Sequence, residues 1–82
     1  MSHISRDIFR AIHEGKWLYV EYKNQDNKTT RYWFGIETID IQNLKLHGTG
    51  LHLGTYTKKE LTLFLSGIQS TQIVDGTYMG RG

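Results

Sequence analysis

The chain has 82 residues, with 10 Lys and Arg against 8 Asp and Glu, and no cysteine. That length makes one domain, expected over residues 1–76, and the missing thiols exclude a disulfide framework or a thiolate metal site. No apolar run approaches the ~20 residues of a membrane span and no signal-peptide core is present, so the expectation is a cytoplasmic chain without membrane contact. A net charge of +2 is too small for the dense basic stripe of a duplex-DNA reader.

Ile4, Ile8, Ala11 and Ile12 recur at helical spacing with Phe9 beside them, which predicts a helix over Ser5 to Glu14. Ser5 is placed to cap it, Asp7 falls in the predicted first turn, and Gly15 suits the position past its end. Leu18, Val20 and Tyr22 then alternate with Trp17, Tyr19 and Glu21, the period of a half-buried strand over Trp17 to Lys23. After the polar turn Asn24 to Lys28, a second strand runs from Thr29 to Ile36, with Gly35 placed for a bulge or bend.

Ile39 and Ile41, then Leu44 and Leu46, alternate with polar residues around Gln42-Asn43, the pattern of a tight hairpin. Gly48, Gly50 and Gly54 mark a loop or irregular strand. Leu61, Leu63 and Leu65 restore strict alternation, and Ile68, Ile73 and Val74 supply core contacts around a last short strand. Residues 77–82 carry no apolar pattern and read as a flexible tail. One helix and about five short strands predict a mainly β, α+β domain: a strongly bent antiparallel sheet curled into a five-stranded small barrel, which removes sheet edges.

The order of helix, Ala11-Ile12-x-x-Gly15-Lys16, strand ending in Tyr22, turn, Thr29-x-Arg31 and late Leu63-x-Leu65-x-x-Ile68 resembles the bacterial WYL domain. The resemblance covers about Ile8 to Val74. It implies an Sm-like small β-barrel that senses a ligand, a nucleotide or single-stranded nucleic acid, beside a DNA-binding or helicase domain. Where the family carries two arginines in its late strand, this chain reads Leu63-Phe64-Leu65-Ser66-Gly67-Ile68.

Arg31 matches the motif, and its planar fork suits a phosphate or carboxylate. The competing role is an ion pair with Glu21 or Glu37 that ties strands together. Lys45, His47, His52, Lys58 and Lys59 are expected to frame a positive groove around an anion. Two histidines without further ligands make a poor zinc site, so no metal and no cofactor are expected. Trp17, Tyr19, Tyr32 and Phe34 are expected on the face opposite Leu18, Val20, Tyr22 and Trp33, either to stack bases or to pack against a partner.

No nucleophile elbow, phosphate loop or paired carboxylates accompany these residues. The expectation is therefore a non-enzymatic regulatory module. The alternatives are a structural or protein-interaction module that docks or forms a homodimer through its aromatic face, and an RNA-binding barrel of the Sm type, which requires a ring.

Overall fold

The computed structural model describes residues 3–77. Helix α1 (His3–Glu14) is followed by β1 (Lys16–Lys23), β2 (Thr29–Asp40), β3 (Lys45–His52) and β4 (Thr57–Phe64). A single 3₁₀ turn (Leu65–Gly67) then leads into β5 (Ile68–Thr77). The tail expected over 77–82 lies outside the described residues, except for Thr77, which closes β5. No described helix is long and apolar enough to cross a membrane.

The helix begins two residues before the expected Ser5, so Asp7 falls beyond the first turn. Its carboxylate instead accepts a 2.9 Å hydrogen bond from the Thr71 hydroxyl and fastens α1 to β5. Gly15 ends the helix at φ 66°, a left-handed conformation in which glycine has no Cβ to clash. Arg10 and Lys16 both reach the Glu14 carboxylate at this end, at 3.0 and 3.3 Å. Ile8 and Ala11 are buried against the sheet, whereas Phe9 and Ile12 stay exposed.

All strand pairs are antiparallel, in the order β4-β3-β2-β1-β5. The ladder therefore ends on β4 and β5, and these two edges do not pair among the described residues. A five-strand open sheet stands where a closed cylinder was expected. Two further hydrogen bonds fix the end of β4. The Phe64 amide donates to the Tyr22 hydroxyl at 3.2 Å, linking the end of β4 to β1. The Leu65 amide donates to the Leu44 carbonyl at 2.9 Å.

The β1–β2 turn fixes which side chains face inward. The Asn24 side-chain oxygen accepts from the amides of Asp26 and Lys28, at 2.9 and 3.1 Å, while Asn27 takes φ 66°. This turn sets Lys23 opposite Thr29, and hence Leu18 opposite Phe34 and Val20 opposite Tyr32. Residues directly opposite share a face, so Tyr32 and Phe34 join Leu18 and Val20 on the core side. The expected assignment of the second strand is inverted: Phe34 is wholly buried and Trp33 is the outward residue. A slip of one residue reverses every side chain of a strand, and the odd length of the turn decides the parity.

Further along β2, the irregularity expected at Gly35 falls at Glu37, where the register shifts between Ile36 and Thr38. The shift has a packing consequence. Ile36 and Ile39 are three residues apart and would face opposite ways in a regular strand. The extra residue returns Ile39 to the core side, opposite Leu46. The strand then continues to Asp40, so the hairpin loop is Ile41 to Leu44 rather than Gln42-Asn43 alone. Asp40 holds this loop by accepting from the amide and the side chain of Asn43, at 3.1 and 2.9 Å. Leu44 carries the positive φ, 54°.

The glycine-rich stretch is a regular strand: β3 runs through Gly48 and Gly50, and only Gly54 lies in the following turn. The core comprises Ile8, Ala11, Leu18, Val20, Phe34, Ile36, Leu46, Leu63 and Ile68, with Tyr22, Tyr32, Leu61 and Ile73 packed around it. Helix, four inner strand segments and the start of β5 thus share one apolar layer, whose burial is the main stabilising term of so small a domain.

Candidate functional site

The face turned away from α1 carries an aromatic strip. Register sets Tyr19 opposite Trp33, Trp33 opposite Leu51 and Leu51 opposite Lys58. Trp17 lies against Trp33 with ring centroids 6.4 Å apart and planes tilted by 43°. Trp33 is 36% exposed, while Trp17 and Tyr19 are half-buried. Of the four residues expected here, Trp17 and Tyr19 are in place, and Trp33 stands where Tyr32 and Phe34 were expected.

Next to this strip, one carboxylate gathers three strands. Glu21 accepts a 2.8 Å hydrogen bond from the Ser70 hydroxyl of β5 and a 3.0 Å bond from the Tyr19 hydroxyl. Arg31 Nε lies 3.7 Å from the same carboxylate, so the ion pair weighed from the sequence forms with Glu21; Glu37 instead accepts from the Thr49 hydroxyl. The Ser70 and Tyr19 hydroxyls, then the Arg31 charge, hold the Glu21 pKa below its ordinary value against the opposing effect of burial. Burial first, and then Glu21, push the Tyr19 phenol up.

A depressed carboxylate pKa has a definite sign in folding. Glu21 stabilises the fold above its unfolded pKa of about 4.3, and that contribution is lost as pH falls through the lower folded value. Glu14, beside Arg10 and Lys16, and Asp40, beside Asn43, are lowered too. Urea denaturation repeated from neutral pH downward should therefore show stability falling in acid. Glu21→Gln should flatten part of that fall while leaving the Glu14 and Asp40 share; an unchanged acid profile would refute the assignment.

Arg31 also lines a shallow groove of about 420 Å³ with Thr29, Thr30, His52, Leu53 and Gly54. Its side chain is 67% exposed, and its carbonyl accepts from the Leu53 amide at 3.1 Å, which fixes β2 to the β3–β4 turn. His52 caps that turn: Nδ1 receives the amides of Gly54 and Thr55 at 3.0 and 3.1 Å. Two backbone donors on Nδ1 make it the acceptor, so the neutral ring carries its proton on Nε2 and can donate from there. The ring also meets Tyr32 edge to face at 5.6 Å.

The other expected anion-binding residues do not assemble into one groove. Lys45 sits over the Phe64 ring, 5.8 Å from its centroid, an interaction of cation and aromatic face. His47 Nδ1 pairs with the Thr62 hydroxyl across the β3–β4 ladder at 2.8 Å. His47 and His52 lie five residues apart on β3, hence on opposite faces and about 17 Å from each other along the strand. Lys58 and Lys59 alternate likewise: Lys58 is opposite Leu51 on the aromatic face, and Lys59 is opposite Gly50 on the other. No group of three His, Cys, Asp or Glu able to hold a metal occurs among the described residues.

Sequence reasoning missed Trp33, Glu21 as the organiser of the site, and Ser70. The signal for Trp33 lay in the count of turn residues after Lys23; Ser70 had none, because only the β1–β5 pairing brings it to Glu21. A second surface feature is apolar. Ile4, Ile8, Phe9, Ile39, Ile41, Leu44 and Leu65, with Ser5, line a groove of about 340 Å³ between α1 and the β2–β3 loop. Phe9, Ile41 and Leu44 are each more than half exposed there.

No protein-family model matches this chain, and neither a curated protein nor a solved structure matches it.

Proposed function

We propose that this chain is a non-enzymatic regulatory module of a larger bacterial protein, of the WYL kind, that binds a nucleotide or single-stranded nucleic acid. In this reading the bent sheet is a rolled Sm-like barrel left open between β4 and β5. One observation carries the binding role: Arg31 stands between an aromatic strip and a groove lined by hydroxyls and an imidazole. Aromatic side chains stack bases without regard to sequence, and a neighbouring guanidinium holds the backbone phosphate. Bound ligand would act on an adjoining DNA-binding or helicase domain by favouring one of its two states.

Titration of the chain with oligothymidylate, followed by tryptophan fluorescence, tests this directly. Quenching of Trp17 and Trp33 is expected, with affinity falling as salt rises from about 50 to 200 mM, the signature of phosphate contacts. Arg31→Ala should weaken binding roughly tenfold or more, the effect of losing a bidentate charged contact. Binding that ignores both salt and Arg31 would defeat the proposal.

The apolar groove favours a second reading, a protein-interaction module, since exposed apolar patches mark interfaces. Sedimentation at increasing concentration separates the two. A monomer that binds oligonucleotide supports the first reading, and a dimer indifferent to oligonucleotide supports the second.

A further inference from the structure

We propose that Glu21 makes this site selective for the phosphodiester backbone of a single-stranded nucleic acid and sets it against free nucleotides with a terminal phosphate. The inference rests on the binding role proposed above and chooses between its two ligand classes.

Among the described residues, Arg31 is the one Lys or Arg lining its groove, and Glu21 lies 3.7 Å from its Nε. The pair is close to neutral before any ligand arrives. A phosphodiester brings a single negative charge per phosphate. A terminal phosphate monoester carries about −1.5 to −2 at neutral pH, and its second charge has no cation in the groove to meet it.

Nor can the carboxylate swing aside. Its two oxygens are held from different directions, Oε1 by Ser70 and Oε2 by Tyr19. The hydroxyls also keep it ionised, because they lower its pKa. Fixed repulsion of this kind discriminates by rejecting the wrong ligand. Meanwhile the Nε side of the guanidinium faces Glu21, which leaves the terminal nitrogens for the ligand.

The next cation along the face also suits a chain better than a compact nucleotide. Lys58 stands one row from Arg31, beyond Trp33 and Leu51. Two residues along β2 and two strands across put the backbones of Arg31 and Lys58 about 12 Å apart. An extended strand laid over Trp33 meets both cations with successive phosphates and its base with the indole between them. A mononucleotide reaches one of them.

The test uses two competitors of equal size against oligothymidylate bound to the full chain: thymidine 5′-monophosphate and its methyl phosphodiester. Above about pH 7 the first is a dianion and the second a monoanion. The methyl diester should compete at least roughly threefold better on the native chain, and Glu21→Gln should abolish that preference, because removing one nearby like charge strengthens the dianion about tenfold and the monoanion only about threefold. Running the probe also as oligouridylate distinguishes RNA from DNA as the source of the diester, and tight binding of either supports the inference.

Equal or better competition by the monophosphate on the native chain overturns the selectivity, whether or not the variant folds. A preference undiminished in a folded Glu21→Gln chain, checked by circular dichroism, overturns the role of Glu21. If no oligonucleotide binds at all, the binding role itself falls, which is a different failure from either of these.

Discussion

Gly48→Ala is expected to cost this domain about 2–4 kcal/mol, from a total stability of order 5–15 kcal/mol. A Cβ at position 48 would sit on the Gly35 carbonyl oxygen, with the Glu37 amide nitrogen at 3.1 Å. Both neighbours are backbone, and both belong to the segment where β2 changes register. Neither can turn away without breaking the β2–β3 ladder. Thermal unfolding should show the loss as a fall in Tm of at least about 10 °C, given the size scaling of domains this small.

Gly50→Ala provides the control. The added Cβ there would meet Leu61 Cδ1, the far end of a side chain, with Tyr32 Cδ1 at 3.6 Å. Leu61 is only half-buried and can change rotamer, so the expected cost is about 1–2 kcal/mol. If the two substitutions cost the same, or Gly50→Ala costs more, the close approach of β2 and β3 at Gly48 is wrong, and with it the bend that links Gly35, Glu37 and Gly48.

That bend shows where the sequence was legible and where it fell silent. Alternation located β1, the first part of β2 and the leucines of β4, because one buried face forces a period of two. Gly15 and the polar turn Asn24 to Lys28 were equally readable from local chemistry. The glycines of β3 misled, since glycine is depleted in strands on average. Here close backbone approach requires it at Gly48, and the Leu61 side chain lies over the space a Cβ would fill at Gly50. Contacts between distant residues decided the rest. The carboxylate of Asp7 finds Thr71, and Glu21 finds Ser70, 64 and 49 positions away along the chain, separations that local pattern does not encode. The candidate site suffered most: Arg31, Trp17 and Tyr19 were legible one by one, whereas their grouping with Trp33 and Glu21 depended on strand parity.

Parity is therefore the point to test, through Phe34 and Trp33, which are adjacent and both large. Phe34 is completely buried beside Leu18, Val20 and Leu46. Truncation to alanine removes a whole ring from a packed layer and leaves a cavity, at a cost of about 3–5 kcal/mol. Such a loss takes a domain of this size to the edge of unfolding at room temperature. Trp33 rests on the opposite face against Trp17, where water already reaches it. Trp33→Ala should cost under about 1 kcal/mol of stability yet abolish most of the fluorescence response to oligonucleotide, as the stacking indole is gone. Urea denaturation of both variants reads the first effect, and the oligothymidylate titration reads the second. The opposite outcome, a tolerant Phe34 and a structurally indispensable Trp33, would mean that β2 pairs with β1 one residue out of step. Tyr32 and Phe34 would then return to the outer face, and Arg31 would point into the core and lose its place beside Glu21.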